Sequence, residues 1–358
     1  MLKQLYSMKP VELERAAEQA VRRTLSEVPS LSIGPTKPGG LTADAGFDFA
    51  LPVNTNGGRF RLLCEVKSSG QPRIARAASL ELLRYARPKS GDYAVFIAPF
   101  VSPQDAQICT REGVGYLDLA GNCRLAFGRV YIQKDQYPNP FVHRRDLRSL
   151  YSPKAERVLR VLLANPKKSW KTQALADAAQ VSLGQVANVK KLLGDREWIQ
   201  TELAGFRLSD PGVLLTEWGA NYRSSRNAVN DFYSLQDTAQ AETEIAKTCD
   251  KLAVTYGFSG FSGAARLAPA VRYQRVTVYV ADGLDALVED LGLKPVSSGA
   301  NVSLLAPYDA GVFYASRRIG AATIVSPIQV YLDLLTIKGR GEEAATAILE
   351  EVIKPTWQ

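Results

Sequence analysis

Residues 152–212 read SPKAERVLRVLLANPKKSWKTQALADAAQVSLGQVANVKKLLGDREWIQTELAGFRLSDPG, and this stretch decides the fold of the middle of the chain. Apolar residues recur there at the spacing of an amphipathic helix in three short segments, 153–164, 171–179 and 182–194. Two short strand-like runs, WIQTEL and GFRLS, then meet at Ala204-Gly205, where glycine favours a tight turn. The pattern therefore predicts three consecutive helices followed by a β-hairpin.

The third predicted helix has an apolar face and a polar face. Its inward side chains are Val186, Val189, Leu192 and Leu193, and its outward side chains are Ser182, Gln185, Asn188, Lys190 and Lys191. Glutamine and asparagine amides can pair bidentately with adenine edges in the major groove, whereas lysine ammonium groups suit phosphate contacts. Arg207, in the hairpin, is expected to add a further contact. We therefore expect this polar face to bind double-stranded DNA.

The same stretch resembles the winged helix-turn-helix family, down to a helix that ends Lys-Lys-Leu-Leu and enters a strand through Glu-Trp-Ile. The resemblance implies that the third helix is the recognition helix and that the hairpin is the wing. The alternative is a trihelical packing module that contacts only protein. The two interpretations share the apolar face and differ in what the polar face touches.

The net charge of +8 is unevenly distributed along the chain. Residues 1–150 carry 21 Lys+Arg against 14 Asp+Glu, and residues 151–230 carry 12 against 7. Residues 231–358 carry 11 against 15. A surplus of positive charge concentrates polyanions, so the first two thirds have the electrostatic character of a nucleic-acid binder, and the last third is expected to act differently.

The segment before this stretch alternates helical and strand-like patterns. An amphipathic helix is predicted over 9–28, and strands over 46–53, 59–69 and 92–100, with hairpin and helical segments reaching to about Lys134. This order predicts an α/β domain with a mixed sheet in residues 1–135.

Three residues of this domain suggest a catalytic site. Glu65 and Lys67 are two apart on one strand, so their side chains point to the same face, and Asp48 lies on the preceding strand. If the strands pair, Asp48 and Glu65 converge on one divalent cation, while Lys67 steadies the attacking water or the developing phosphorane charge. Glu18, or Glu14, on the first helix is expected to supply a further carboxylate. The pattern predicts a magnesium site for phosphodiester hydrolysis.

This arrangement of a helix, Asp48, Glu65-x-Lys67 and a second helix resembles the PD-(D/E)xK nuclease superfamily, although Phe47 stands where that motif has proline. The resemblance implies a restriction-endonuclease-like sheet and catalytic roles for the three residues. Two alternatives stay open. The Glu-Lys pair belongs to a solvated strand face, or the domain keeps the fold only to grip DNA.

The last third begins with a glycine-containing loop and a strand, YGFSGFSGAAR and QRVTVYVAD, that look like those of a nucleotidyltransferase. In that family the strand carries alternating carboxylates that hold magnesium, but here Thr277 and Tyr279 take these positions, and Asp282 comes only at the strand end. We therefore expect an α+β nucleotidyltransferase-like domain without transferase activity, in which the pattern also predicts a helix over 213–226 and a strand at GVFYAS, 311–316. Its loop glycines are then explained by a tight turn and close helix packing. They are Gly257, Gly260 and Gly263.

Residues 150–358 together resemble the AbiEi type of antitoxin and transcriptional regulator, which joins a winged helix to a C-terminal domain of this kind. The resemblance implies repression of the protein's own promoter and neutralisation of a nucleotidyltransferase-type toxin. In that family the winged helix lies at or near the start, whereas here about 150 residues precede it.

Composition argues against several other classes. The four cysteines form no CxxC pair, so a zinc site or disulfide framework is not expected, and His143, the single histidine, leaves nucleophilic catalysis without a base. No apolar run is long enough to span a membrane, and the N-terminus has no signal-peptide core, so we expect a cytoplasmic protein.

The sequence thus predicts an α/β multidomain chain: a nuclease-like domain in 1–135, a linker in 136–151, a winged helix in 152–212 and an α+β domain in 213–358. The leading hypothesis is a DNA-binding regulator of the antitoxin class, whose acidic last third contacts a partner protein. The alternative is a magnesium-dependent nuclease targeted by its winged helix. A third interpretation is a scaffold that binds only proteins.

Overall fold

A computed structural model describes residues 10–39, 46–87, 91–140 and 150–358. The chain divides into two compact units, 1–144 with 194–197 and 145–193 with 198–358. Most of the predicted linker, including His143, lies outside the described residues. No helix in the described part of the chain is both long and apolar enough to cross a membrane.

The first unit is a sheet with helices on both faces. Its helices are α1 (Pro10–Ser26), α2 (Pro72–Tyr85) and α3 (Pro103–Arg111). Its strands are β1 (Ser32–Ile33), β2 (Lys37–Pro38), β3 (Phe49–Thr55), β4 (Gly58–Val66), β5 (Asp92–Ala98), β6 (Gly115–Asp118), β7 (Cys123–Phe127) and β8 (Val130–Lys134). Leu51, Leu62 and Ile97 pack on the α1 face, and Leu63 and Phe96 pack on the face of α2 and α3. Two apolar layers therefore enclose the sheet.

The described sheet has the order β1-β3-β4-β5-β6-β7-β8, with β2 also paired to β3. β3 and β4 form an antiparallel hairpin, whereas β4, β5 and β6 are parallel neighbours joined through α2 and α3. The prediction of a mixed sheet in an α/β domain is confirmed. Because β4, β5 and β6 run the same way, the chain that follows each of them leaves at one edge of the sheet.

The second unit begins with the three helices and the hairpin that the sequence predicted. They are α4 (Pro153–Ala164), α5 (Thr172–Ala179), α6 (Leu183–Asp195), β9 (Ile199–Glu202) and β10 (Gly205–Leu208). β9 and β10 pair antiparallel, and Trp170 forms an isolated bridge to Phe206 of β10. Leu159, Leu175 and Val189 are fully buried among these elements. Apolar residues at helical spacing thus give each helix its place in the bundle.

The rest of the second unit is a sheet with surrounding helices. Its helices are α7 (Pro211–Asn221), α8 (Thr238–Lys251), α9 (Gly260–Leu267), α10 (Leu284–Asp290), α11 (Pro327–Leu335), α12 (Gly341–Ala347) and α13 (Lys354–Trp357), and a π-helical segment spans Ile348–Ile353. Its strands are β11 (Ala228–Tyr233), β12 (Tyr256–Phe258), β13 (Val276–Val280), β14 (Lys294–Pro295), β15 (Val302–Ala306), β16 (Arg317–Ile319) and β17 (Ala322–Ile324). The described order is β14-β11-β15-β13-β12-β17-β16.

Two local predictions in this region differ from the structure. The run GVFYAS, which reads as a strand, is a 3-10 helix over Ala310–Phe313, because the Asp309 carboxylate caps it by accepting from Gly311 N at 2.7 Å. The helix expected over 213–226 ends at Asn221, and the chain continues into β11, a strand that the pattern did not reveal. Only Phe232 of β11 is buried, so the strand lacks a strong apolar alternation.

A buried polar network joins the bundle to this sheet. Glu156 of α4 is 1% exposed and accepts hydrogen bonds from Arg226 Nη1 at 2.8 Å and from the Tyr308 hydroxyl. Arg160, one turn later, lies 3.6 Å from Glu156 and donates to Gln329 Oε1 at 2.5 Å. The carboxylate of Asp333 completes the network by accepting hydrogen bonds from four side chains, those of Gln329, Tyr222, Tyr279 and Ser259.

We predict that Glu156→Ala lowers the free energy of unfolding of the second unit by about 3 to 5 kcal/mol, since it leaves the Arg160 cation buried without its carboxylate. Urea unfolding followed by tryptophan fluorescence measures the change, since all four tryptophans lie in the second unit and the ring of Trp218 is 5.0 Å from the Arg160 guanidinium. The control is Glu350→Ala, which removes an exposed ion pair with Lys354 and should cost less than about 1 kcal/mol. Equal losses in the two variants would contradict the prediction.

Candidate functional site

The turn that leads into α6 is built from local backbone geometry. Gln180 ends α5 in the left-handed region, with φ 52°, and the N–H of Val181 donates back to Ala176 O at 3.0 Å. Ser182 then begins the next helix, since its hydroxyl accepts from Gln185 N at 3.2 Å. The change of direction is therefore completed within three residues.

The buried face of α6 is the one predicted from its sequence. Val186, Val189, Leu192 and Leu193 are buried. Ser182, Asn188 and Lys191 are exposed, and Gln185 and Lys190 are half-buried. Asn188 and Lys191 therefore lie on the side of the helix opposite the buried valines. Ser182 and Gln185 each precede a buried valine by four residues, so they lie at the N-terminal end of the buried side, and Lys190 lies at its border.

Two exposed residues of α6 were missed by the sequence reasoning. Leu183, at the first turn, is 49% exposed, and Ala187 is exposed one turn later beside Asn188. Small and apolar groups of this kind can contact a thymine methyl group in a major groove. The signal was present in the spacing, because neither residue falls on the predicted apolar face.

An open groove of about 550 Å³ lies at the N-terminal end of α6. The residues that line it are Lys154, Ala176, Asp177, Gln180, Val181, Ser182 and Gln185. The groove has both polar and apolar lining and joins the start of α4 to the start of α6. Lys154 therefore belongs to the same surface as the predicted base-contacting residues.

Two of the predicted DNA-contacting cations are held by neighbours within the protein. Lys190 Nζ lies 4.9 Å from the centroid of the Phe206 ring, a cation-π distance. Arg207 donates to Glu202 Oε1 at 2.5 Å and to Gln200 Oε1 at 2.8 Å on the neighbouring strand. A phosphate that binds Arg207 must compete with the Glu202 carboxylate.

The segment before α5 supplies cations that the site prediction did not include. Lys167, Lys168 and Lys171 are exposed, and Lys168 Nζ lies 3.8 Å from the centroid of the Trp170 ring. Trp170 is itself bridged to Phe206 of the hairpin. The KKSWK run in the sequence signalled this cluster, because three lysines within five residues lie next to a predicted helix start.

In the first unit, Asp48, Glu65 and Lys67 come together at the end of β4. Asp48 N donates to Cys64 O at 2.9 Å, and the Asp48 carboxylate accepts from Val66 N at 2.6 Å, which places Asp48 beside Glu65 on the neighbouring strand. The Lys67 ammonium forms a hydrogen-bonded ion pair with the Glu65 carboxylate. The hairpin geometry that the sequence required for this cluster is present.

Burial affects the protonation of this cluster. It raises the pKa of Glu65, a side chain that is 7% exposed, and the hydrogen bond from Lys67 offsets only part of that effect. Burial also disfavours the charged form of Lys67, but the bond to Glu65 and the nearby carboxylates outweigh it, so the pKa of Lys67 is raised. The two groups hold one another as an ion pair.

The further carboxylate expected from α1 differs between its two candidates. Glu18 accepts from Arg22 Nε at 2.9 Å and from the Thr36 hydroxyl, which lowers its pKa. The pKa of Glu14 is raised by burial and by the charge of Asp48, so Glu14 is the α1 carboxylate that interacts electrostatically with the cluster. Within the described residues, no group of three or more Asp, Glu, His and Cys side chains is arranged to hold a metal.

The glycine loop of the C-terminal sheet is accounted for by packing. Gly260 has φ +52°, which glycine adopts without strain, and a Cβ at Gly257 would lie 2.7 Å from Val325 Cγ1. Tyr279 is fully buried, and its hydroxyl donates to Asp333 at 3.0 Å. Tyr279, one of the two positions where a nucleotidyltransferase would carry a carboxylate, thus belongs to the core and its polar network.

Comparison with known protein families gives a match over the last part of the chain. Residues 207–354, less than half of the chain, match the family model of the AbiEi antitoxin, a transcriptional regulator of type IV toxin–antitoxin systems. No curated protein and no solved structure matches the chain. The segment from β10 to the C-terminal helices is therefore similar to AbiEi-type antitoxins and transcriptional regulators.

Proposed function

We propose that this protein is a DNA-binding transcriptional regulator of the AbiEi antitoxin class, with residues 152–212 as a winged helix-turn-helix. The observation that carries the proposal is the exposed polar face of α6, opposite an apolar face that is buried. The three-helix order, the hairpin and the bridge between Trp170 and Phe206 support the winged-helix interpretation. The family match over residues 207–354 supports the regulatory role.

In this proposal α6 enters the major groove. Gln185 and Asn188 contact base edges, Ser182 and the two lysines contact the backbone, and Arg207 reaches a phosphate from the wing. Lys167, Lys168 and Lys171 extend the cationic surface beside α5. The acidic region after residue 230 carries the second role, in which the protein counteracts a nucleotidyltransferase-type toxin.

We predict that Lys190→Ala combined with Lys191→Ala weakens binding to every duplex alike and reduces the slope of log K against log salt by about 1 to 2. Gln185→Ala should instead lower discrimination between duplexes, by about 1 to 3 kcal/mol, because it removes a base contact. Gel-shift titrations over a salt series measure both effects, using the fragment upstream of the protein's own gene and an unrelated duplex of equal length.

The control for the lysine variant has the same change in charge at a distant place. Lys247 and Lys251 of α8 are each 65% exposed, and replacing both by alanine should leave DNA affinity nearly unchanged. Glu202→Gln should act in the opposite direction and raise affinity, because it releases Arg207. If the α6 and α8 lysine variants bind equally well, α6 is not the DNA-contacting helix.

We further predict that the protein restores growth to bacterial cells arrested by a nucleotidyltransferase-type toxin encoded beside it. The variant lacking Lys190 and Lys191 should restore growth equally well while losing promoter repression, because both residues lie outside the segment that matches the antitoxin family. Growth curves and a promoter-reporter assay separate the two activities. An arrest that the unmodified protein does not relieve contradicts the antitoxin role.

A second candidate function rests on the contact between Glu65 and Lys67 beside Asp48. We propose that this cluster, with magnesium and a carboxylate from α1 (Glu18, or Glu14), cuts phosphodiester bonds. Plasmid and single-stranded DNA incubated with the protein and Mg²⁺ or Mn²⁺ should then be cleaved, and Lys67→Ala should slow cleavage about a hundredfold or more. Lys134→Ala is the control, since that lysine pairs with Glu27. Cleavage that survives Lys67→Ala excludes this site.

A further inference from the structure

An ion pair links the C-terminal region to the helical bundle next to α6. Arg157 of α4 holds Asp309 with two hydrogen bonds, from Nε to Oδ1 at 2.6 Å and from Nη2 to Oδ2 at 3.1 Å. The two side chains are only 14% and 8% exposed. A bidentate pair removed from water fixes both the distance and the angle between its partners. We call this pair the Arg157–Asp309 clasp.

The clasp extends to the turn before α6. The remaining guanidinium nitrogen of Arg157, Nη1, donates to Gln180 O at 3.5 Å, at the left-handed residue where α5 ends. Val181 and Ser182 follow directly and begin α6. A single guanidinium thus contacts both a loop of the C-terminal region and the backbone that aims α6.

The loop around Asp309 is shaped to receive Arg157. Asp309 caps the 3-10 helix through Gly311 N, and a Cβ added at Gly311 would lie 2.7 Å from Arg157 Cγ. Burial opposes ionisation of Asp309, but the bonds from Arg157 and Gly311 outweigh it and lower the pKa of the carboxyl. The Asp309 carboxylate is therefore oriented by the Gly311 N–H as well as by Arg157.

The loop and the end of α5 both contribute apolar side chains to the core of the second unit, but these side chains do not fill all the space between them. A cavity of about 230 Å³ lies between them. Its lining residues are Arg157, Ala178, Ala179, Gln180, Ala310, Gly311, Phe313 and Tyr314. The bonds of the clasp lie beside this cavity and add defined distances and angles to the apolar contacts that position the turn.

We infer that Arg157 and Asp309 are positioning residues for DNA recognition, which fix the turn at Gln180 so that α6 presents its polar face in the orientation needed to read a sequence. This inference rests on the proposed function, since it concerns how α6 is aimed. It assigns to the C-terminal region a direct part in specificity, through one carboxylate that does not itself touch DNA.

A positioning role for the clasp and simple electrostatics predict different effects of Asp309→Asn on DNA binding. Asp309→Asn removes a negative charge near the cationic surface, so charge alone would raise affinity for every duplex. If the clasp positions α6, the ratio of affinities for the protein's own upstream fragment and an unrelated duplex should instead fall about tenfold, the effect of losing a charge-assisted hydrogen bond. Arg157→Lys keeps the charge but loses the bidentate geometry, and the ratio should fall similarly.

Hydrogen exchange tests the same inference without DNA. In both variants the amides from Val181 to Val186 should exchange about tenfold faster, while amides of β13 and β15 keep their rates. The control is Asp250→Asn, which breaks the bidentate pair of Asp250 with Arg318 elsewhere in the C-terminal sheet and should leave both readouts unchanged.

The outcomes separate the two ideas. The positioning role of the clasp is overturned if exchange is unchanged in Asp309→Asn and in Arg157→Lys, or if exchange is faster throughout the second unit. It is also overturned if the unmodified protein distinguishes the two duplexes and the variants keep the same affinity ratio. Failure of the unmodified protein to distinguish the two duplexes overturns sequence-specific recognition instead, and the exchange data then still decide whether the clasp orders the turn.

Discussion

The buried carboxylate of Glu156 is the point on which the second unit depends. Moving a charge out of water costs several kcal/mol, and the cost is recovered only when the charge is fully paired and hydrogen-bonded. Glu156 meets this condition through partners from three places in the sequence: Arg160 on its own helix, Arg226 before β11 and Tyr308 after β15. The bundle and the C-terminal sheet must therefore be assembled together for any of these groups to be satisfied.

This requirement explains why α4 carries so many charged residues at positions that are not solvent-facing. Glu156 and Arg160 occupy one face a turn apart, and Arg157 lies beside them toward the turn before α6. One helix thus bonds to the C-terminal region by two separate polar contacts. A purely apolar contact would have tolerated sliding between the two parts, whereas hydrogen bonds with defined geometry specify a single register.

The sequence predicted those features that depend on local periodicity. The three helices and hairpin of 152–212 were found because each element shows its own apolar spacing, and the mixed sheet of the first unit followed from the order of its elements. β11 was missed because only Phe232 in it is buried, and 311–316 was misread because apolar and aromatic residues there fill a capped 3-10 turn. Both errors arise where tertiary contacts decide the backbone conformation.

The candidate sites also combine features that local sequence periodicity predicts with features that tertiary contacts decide. The side of α6 on which each polar candidate lies follows from helical geometry, which places Asn188 and Lys191 opposite the buried valines. Which of the candidates are already engaged does not follow, because Glu202 and Phe206 meet Arg207 and Lys190 only after the hairpin folds. The choice between Glu14 and Glu18 was open for a similar reason, since Thr36 reaches Glu18 from a distant strand region.

These internal pairings also bear on how strongly charge would drive the proposed DNA binding. A cation that must leave a carboxylate to bind phosphate exchanges one ion pair for another, so its contribution to affinity is smaller than that of a solvated cation. Arg207 is such a group because of Glu202, whereas Lys191 is exposed on α6. The formal surplus of positive charge in residues 151–230 therefore overstates the number of phosphates that the surface neutralises. The salt dependence of binding should reflect the smaller number, since it counts the counterions that are actually released from DNA.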